Sequence, residues 1–462
     1  MSNAAPATGR QTARLPIHEK VAYGLGNFMP TAVTATGGLA MYFYTDVAGL
    51  SAAFIGTMLL LVRVVDAMWD LWVGRRVDAN DSRWGQCRGY LLWFSPLLAL
   101  ALFASFTIPP LEGAARTLWF VGTYIALWCT YSLVQIPFQS MLPVVAPDPD
   151  ERLRVAGVSS LVQFVFVIAC GAGFPIMKDI LAAGHGQAHG FQQAALLMAV
   201  VGLLLSWTCF AFVRERVRPM PSAQPDLRGD LRTIGASRVW LIGFLVQVLL
   251  GTLVGLSLGS SVYYLANVLH HPELVGPYMG IGGVGLLAGV ILSDQLTRRI
   301  CKKKVLVGSM VACAVTALAF ALVTPAHLPL VFVLAFANNV TIGICAPITS
   351  SMNGDIADQL ELDGGRRVVG TLVATINFAS KVGAGLCSAL IGATLSMTGY
   401  LPGVTAQPGG ALDGITALMS AVPAIIAMAI ALAIARFYPL GRARLAQLRV
   451  DLEAARRLRA AA

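Results

Sequence analysis

Residues 57–74 read TMLLLVRVVDAMWDLWVG, an apolar run interrupted by Arg63, Asp66 and Asp70. At 100° per residue on a helix the three side chains fall within about 60° of one another, so they share one face. An unpaired charge at the centre of a bilayer costs on the order of 2.5–3.5 kcal/mol, so three in eight residues need a purpose. Two carboxylates one turn apart can jointly ligate Na⁺ through hard oxygen atoms or share a proton. Left empty, the doubly ionised pair is destabilised by repulsion and desolvation, and that difference can tie cation occupancy to helix position. The purely structural alternative is a buried cluster in which Arg63 neutralises one aspartate and fastens the helix to a neighbour.

Lys381, in NFASKVGAGL, is a second charge deep in an apolar stretch. Either it snorkels to the membrane surface or it finds an anion, and the acidic pair is its simplest partner. Tyr131, Ser132, Gln135 and Gln139 recur at spacings of three and four beside Pro137. Each alone reads as an interhelical hydrogen bonder. As a group facing a cavity they could bind a hydroxylated solute, as could Thr375 and Asn377, and Asn338, Asn339 and Thr341.

The elements that hold these residues follow from composition. The 462 residues are 56% hydrophobic and 12% charged, against roughly 25% charged in soluble domains. Apolar stretches of about 20 residues, the length that crosses a ~30 Å hydrocarbon core, recur throughout. The sequence predicts twelve, at 22–45, 52–75, 89–109, 117–142, 153–178, 190–213, 238–265, 274–296, 304–324, 328–352, 367–397 and 413–437. Residues 1–19 show no apolar segment before a small-residue cleavage site, so no cleaved leader is expected. With the amino terminus inside, 29 of the 33 Lys and Arg fall in or beside inside segments, which puts both termini in the cytoplasm.

The Arg-, Pro- and Asp-rich segment 214–237 divides the spans six and six. The predicted organisation is an amino-terminal bundle (1–213), a cytoplasmic linker (214–237), a carboxy-terminal bundle (238–437) and a basic cytoplasmic tail (438–462). IPFQSM around Pro137 and APITSSM around Pro347 are a faint internal repeat, echoed by Asp78 and Asp294. Two repeated bundles around a midplane site are the plan of transporters that rock between two openings. The net charge of +10 is explained by the inside loops and tail, so no nucleic-acid partner is expected. No HExxH, P-loop or CxxC pattern is present, which argues against an enzyme, a cofactor and a structural metal.

YGLGNF, YFYTDVAGLS, RVVDAMWD, GRRVDANDSRWGQCRGY, IPFQSMLP, GDIADQLELDGGRR and SKVGAGL, in this order, resemble motifs of the glycoside-pentoside-hexuronide:cation symporters of the melibiose permease type, within the major facilitator superfamily. The resemblance runs from about Tyr23 to Tyr438. It implies that Asp66, Asp70 and Ser132 form a cation site and that Arg63 and Lys381 line the central cavity. It further implies that Asp78, Arg83, Gly85 and Arg88 belong to a cytoplasmic gate loop. The chain departs from the family pattern where sugar-binding carboxylates stand: Thr31 lies near the first, Gln135 and Gln139 replace an aspartate and a tryptophan, and Ser160 replaces an arginine. Trp69 stands in place of a cation-site asparagine.

The expected protein is an all-α, twelve-span, multi-pass transporter of the inner membrane, monomeric, moving a small polar solute, a sugar or glycoside, in symport with H⁺ or Na⁺. Tyr131, Gln135, Gln139, Thr31, Thr375 and Asn377 are its expected substrate contacts. The alternatives are a transporter of a non-sugar amphiphile such as a lysolipid, and a transport-inactive sensor.

Overall fold

The computed structural model describes residues 15–78, 80, 82–146, 149–216, 235, 237–323, 327–364, 369–404, 406–438, 447–448 and 450–451. Most of the predicted linker and tail lie outside the described residues. The helices are α1 (Ile17–Leu25), α2 (Phe28–Tyr42), α3 (Ala52–Asp78), α4 (Arg88–Ser105), α5 (Gly113–Val145), α6 (Pro149–Ala182), α7 (Gln187–Phe212), α8 (Arg238–Tyr263), α9 (Val275–Arg299), α10 (Lys302–Ala319), α11 (Leu328–Gly364), α12 (Val369–Met397), α13 (Gly409–Met419) and α14 (Ala421–Phe437).

Eleven stretches among the described residues are long and apolar enough to cross a membrane. The predicted span at 22–45 is not among them because it is broken. Gly24 and Gly26 are poor helix formers and Pro30 offers no N–H to the Gly26 carbonyl, so α1 stops at Leu25. Asn27 fills the break: its Nδ2 donates to Ser159 Oγ at 2.8 Å. Gly26 and Asn27 keep right-handed helical torsions, and the chain carries on into α2 rather than turning back.

A repeat that composition does not display is visible in the backbone. α2 runs into a π-helical turn, Phe43–Val47, and α8 runs into another, Tyr264–Val268. Such turns are rare and cluster at functional positions. Both lie at the end of the molecule that holds Asp46 and Tyr400, called here the loop end. The opposite end, with the start of α1 and the finish of α14, is the terminal end.

The loop end of the amino-terminal helices is held by a buried aromatic cluster. Phe43 lies 5.0 Å from Phe191 and 5.1 Å from Phe106 between ring centroids, and Phe174 and Phe120 complete it. Pairs of this kind add about 0.5–1.5 kcal/mol each beyond the area they bury. The terminal end is held by charge instead. Lys20 Nζ lies 2.7 Å from Glu151, and Arg216 Nη2 2.7 Å from Glu19. The Lys20 ammonium, aided by the Leu15 N–H against partial burial, holds the Glu151 carboxyl below its ordinary range. Burial alone would push Glu19 up, but the Arg216 guanidinium and the Arg214 N–H outweigh it and hold it low.

Amino- and carboxy-terminal helices meet at the loop end and the middle. α3 packs antiparallel against α12 with backbones in contact: a Cβ on Gly392 would stand 2.5 Å from the Ala52 carbonyl oxygen and 2.9 Å from Gly56 Cα. Small residues are what permit such an approach between apolar helices in lipid. That seam sets α3 and α12 in register, and so fixes what faces what about three turns deeper.

Candidate cation and solute site

Following the α3–α12 seam toward the middle of the membrane, past Gly385 against Leu60, the facing side chains are charged. Lys381 Nζ lies 2.7 Å from Asp66 Oδ2 and 2.5 Å from Asp70 Oδ2. Ser132, on α5, donates from Oγ to Asp66 Oδ1 at 2.8 Å. The four residues come from three helices and both ends of the sequence. Asp66 is 1% exposed, whereas the side chains of Asp70 and Lys381 are 23% and 17% exposed, so the cluster is reached from the Asp70 side. Asp70 Oδ1 is a buried atom with no hydrogen-bond partner, and Asp66 Oδ2 meets the ammonium outside hydrogen-bond geometry. The site therefore holds two carboxylates, one hydroxyl and unsatisfied oxygen lone pairs. That donor set suits a small hard cation or a proton.

Arg63 does not join the aspartates among the described residues. Its guanidinium lies over the Trp128 ring, 3.3 Å from the centroid, a cation–π contact. It lines a cavity of about 610 Å³ between the two sets of helices. Polar walls come from Thr34, Gln247, Ser350, Asn353, Asn377 and Ser380, and no acidic residue lines it among the described residues. Gln247 Nε2 donates to Ser380 Oγ at 2.7 Å, one residue before Lys381, so cavity wall and charged cluster share a helix segment.

The loop end is shut above this cavity. Thr45 Oγ1 and the Tyr263 hydroxyl are 2.8 Å apart, and Asp46 accepts hydrogen bonds from the Tyr400 hydroxyl and from Thr45 Oγ1. The Gly403 N–H adds a longer one at 3.4 Å.

The model of a family described as MFS/sugar transport protein matches residues 21–442. The chain belongs to that family. This family member is 30% identical over 434 residues to the inner membrane symporter YicJ of Escherichia coli, covering 92% of each chain. It is 28% identical to the isoprimeverose transporter of Lactiplantibacillus pentosus, covering 90% of this chain and 88% of that one. Among solved structures it resembles the nucleoside transporter NupG (TM-score 0.65, 14% identity, 91% of this chain and 99% of that one). It also resembles the inward-open xylose transporter XylE of E. coli (TM-score 0.61, 14% identity, 94% and 98%). These likenesses carry the fold. The protein is a multi-pass secondary transporter of the inner membrane, not an enzyme, and the resemblance to cation symporters holds across the matched residues.

Of the substrate contacts expected from this family member's sequence, Asn377 lines the cavity. The others stand elsewhere among the described residues. Tyr131 packs on Trp128, 5.1 Å between centroids, and Thr31 donates to the Asn27 carbonyl in its own helix. Thr375 accepts from Trp240 Nε1 at 3.1 Å. Gln139 is exposed, and Gln135 keeps a buried Oε1 without a partner. Asn338 is tied to Thr316 at 3.1 Å, Asn339 to the Ala335 carbonyl and Thr341 to the Asn338 carbonyl. The first ties α11 to α10, and the other two stay within α11. The sequence reading missed Gln247, although a lone amide in RVWLIGFLVQVLLG is conspicuous by the same rule that singled out Asp66.

The loop expected to act as a gate is pinned. The Glu215 carboxylate, just past α7, accepts the backbone N–H groups of Gln86, Cys87 and Arg88 at 2.7, 2.9 and 2.7 Å. These are orphan donors at the start of α4. Gly85 turns into this clamp with φ +104°, and a Cβ there would stand 2.7 Å from the carboxylate. Arg88 Nη1 donates to the Val213 carbonyl at 2.9 Å, and Arg83 lies over Trp84. The Asp78 side chain lies outside the described residues. Glu215 has no sequence signature, because its partners are backbone.

Proposed function

We propose that this transporter couples uptake of a small hydroxylated solute, a sugar or glycoside, to the flow of H⁺ or Na⁺. In this reading α1 and α2 together form the first of twelve spans, residues 1–213 and 238–437 form two six-helix bundles, and 214–237 links them. The terminal end, with both termini and the tail 438–462, faces the cytoplasm, which agrees with the Lys and Arg excess there. The names of its relatives, a symporter and an isoprimeverose transporter, agree with the substrate class.

The observation that carries the reading is the Lys381 ammonium lying between Asp66 and Asp70. A lysine on one bundle stands where a coupling cation would stand on the other. Cation binding to Asp66, Asp70 and Ser132 displaces it, releasing a tie between the bundles. The cation thereby gains differential affinity for the conformation in which α3 and α12 part, which is what coupling requires. Beside it, a cavity lined by hydroxyl and amide groups, with no carboxylate among the described residues, suits an uncharged polyol ring. Shut at the loop end, the structure corresponds to the cytoplasm-facing state.

The test is uptake of labelled glycosides into proteoliposomes under imposed H⁺ and Na⁺ gradients, with wild type and Asp70→Asn. The reading expects gradient-driven accumulation by wild type that the variant loses. Undiminished accumulation by Asp70→Asn sinks the coupling assignment, and transport of lysolipids but not of glycosides sinks the substrate class.

A further inference from the structure

α3 carries a second set of chemically capable side chains, turned away from the central site. Asp70 faces α12, and Trp72 and Arg76 lie about 200° and 240° further round the helix. They look outward, where together with Asn80, Ser82, Tyr90 and Trp93 they line a groove of about 270 Å³ between the terminal ends of α3, α4 and α5. Trp72 is 45% and Trp93 62% exposed. In a chain surrounded by lipid, exposed indoles near helix ends mark the depth of the head groups. The Arg76 guanidinium sits 5.1 Å from the centre of the Trp72 ring and makes no ion pair among the described residues.

An arginine that meets no carboxylate among the described residues, framed by indoles at the membrane surface, has the chemistry of a phosphate seat. Its planar fork can grip two oxygens of a phosphodiester at once. The hydroxyls of Ser82 and Tyr90 offer further donors at the rim. A zwitterionic head group would bring its own ammonium beside Arg76, with no acidic residue in the lining among the described residues to receive it.

We propose that this groove seats the head group of an anionic phospholipid. The leaflet, the cytoplasmic one, follows from the orientation proposed above; the head-group chemistry does not depend on it. Basic pockets between helices on that side are where anionic head groups collect.

The experiment places the full-length protein in phosphatidylcholine vesicles containing a minor share of lipid brominated on its acyl chains. Quenching of tryptophan fluorescence by brominated phosphatidylglycerol is compared with that by brominated phosphatidylcholine. Bulk contact quenches equally for both, so the site appears as an excess for the anionic lipid, about five-fold in apparent affinity for one basic residue. Arg76→Gln removes the excess and Arg76→Lys keeps part of it. An equal response to both lipids in wild type, or an excess unchanged in Arg76→Gln, overturns the proposal. Should Arg76→Gln fail to fold, the wild-type comparison decides alone. Displacement of the excess by millimolar inorganic phosphate overturns the lipid source in favour of a soluble anion. The readout needs no transport, so failure of the symport reading leaves it standing.

Discussion

Replacing Lys381 with methionine removes the ammonium and keeps the length of the side chain. Asp66 and Asp70 then face one another across a site closed on one side, Asp66 being 1% exposed. Removing one partner from a buried ion pair costs about 3–5 kcal/mol. Partial exposure of Asp70 and Lys381, 23% and 17%, places the expectation at the lower end, about 3 kcal/mol. If the lysine stands in for a coupling cation, Na⁺ at about 100 times its dissociation constant restores about 2.7 kcal/mol. Wild type gains less, because there the cation must first displace the lysine. The assay is thermal unfolding of the purified protein at one scan rate, at mildly alkaline pH, in NaCl and in choline chloride. Lys381→Met should unfold well below wild type in choline and approach it in NaCl. A variant as stable as wild type in choline would show that the ammonium does not hold the carboxylates. A variant that gains no more from Na⁺ than wild type would show that the lysine does not occupy a Na⁺ site.

The loop-end closure is the next point to perturb. Tyr400→Phe removes a hydrogen bond to a carboxylate, worth about 1.5–3 kcal/mol, and should shift the protein toward loop-end opening. Alkylation of Cys387, which lines the cavity, by an impermeant reagent applied from that side should rise more than ten-fold; an unchanged rate refutes the closure. Glu215→Ala leaves three N–H groups without their acceptor and should lower stability by about 1–3 kcal/mol, with Glu215→Gln intermediate; equal unfolding midpoints for all three proteins would count against the clamp. Glu151 is held below its ordinary 4.5, so its contribution is present above that pH and is lost as pH falls through the depressed value. Wild type should therefore lose stability in acid below about pH 4.5 and Glu151→Gln should lose less; parallel curves refute the assignment.

The charged cluster was legible because hydrocarbon makes an isolated ion too costly: Asp66, Asp70 and Lys381 each announce that a partner exists. Their meeting across α3 and α12 followed from that alone. The row on α5 was misleading for a related reason. Helical spacing says that Tyr131, Gln135 and Gln139 lie near one another, but not which neighbour they face, and the α5 side chain that lines the cavity is Tyr124, one turn or more before that row. The break inside 22–45 was illegible because window composition is blind to Gly24, Gly26 and Pro30 acting together on backbone hydrogen bonds. The α4 clamp was illegible because three peptide N–H groups look alike in any sequence.

The clamp at Glu215 also decides where pulling forces end. Its carboxylate grips the first turn of α4, while the neighbouring Arg216 donates its N–H to the Val144 carbonyl on α5 and its guanidinium to Glu19 on α1. Two consecutive residues beyond α7 are thus moored to three other helices. Tension along the stretch that follows is shared among four helix ends at once, so the amino-terminal helices answer a tug as one solid piece instead of unravelling from α7.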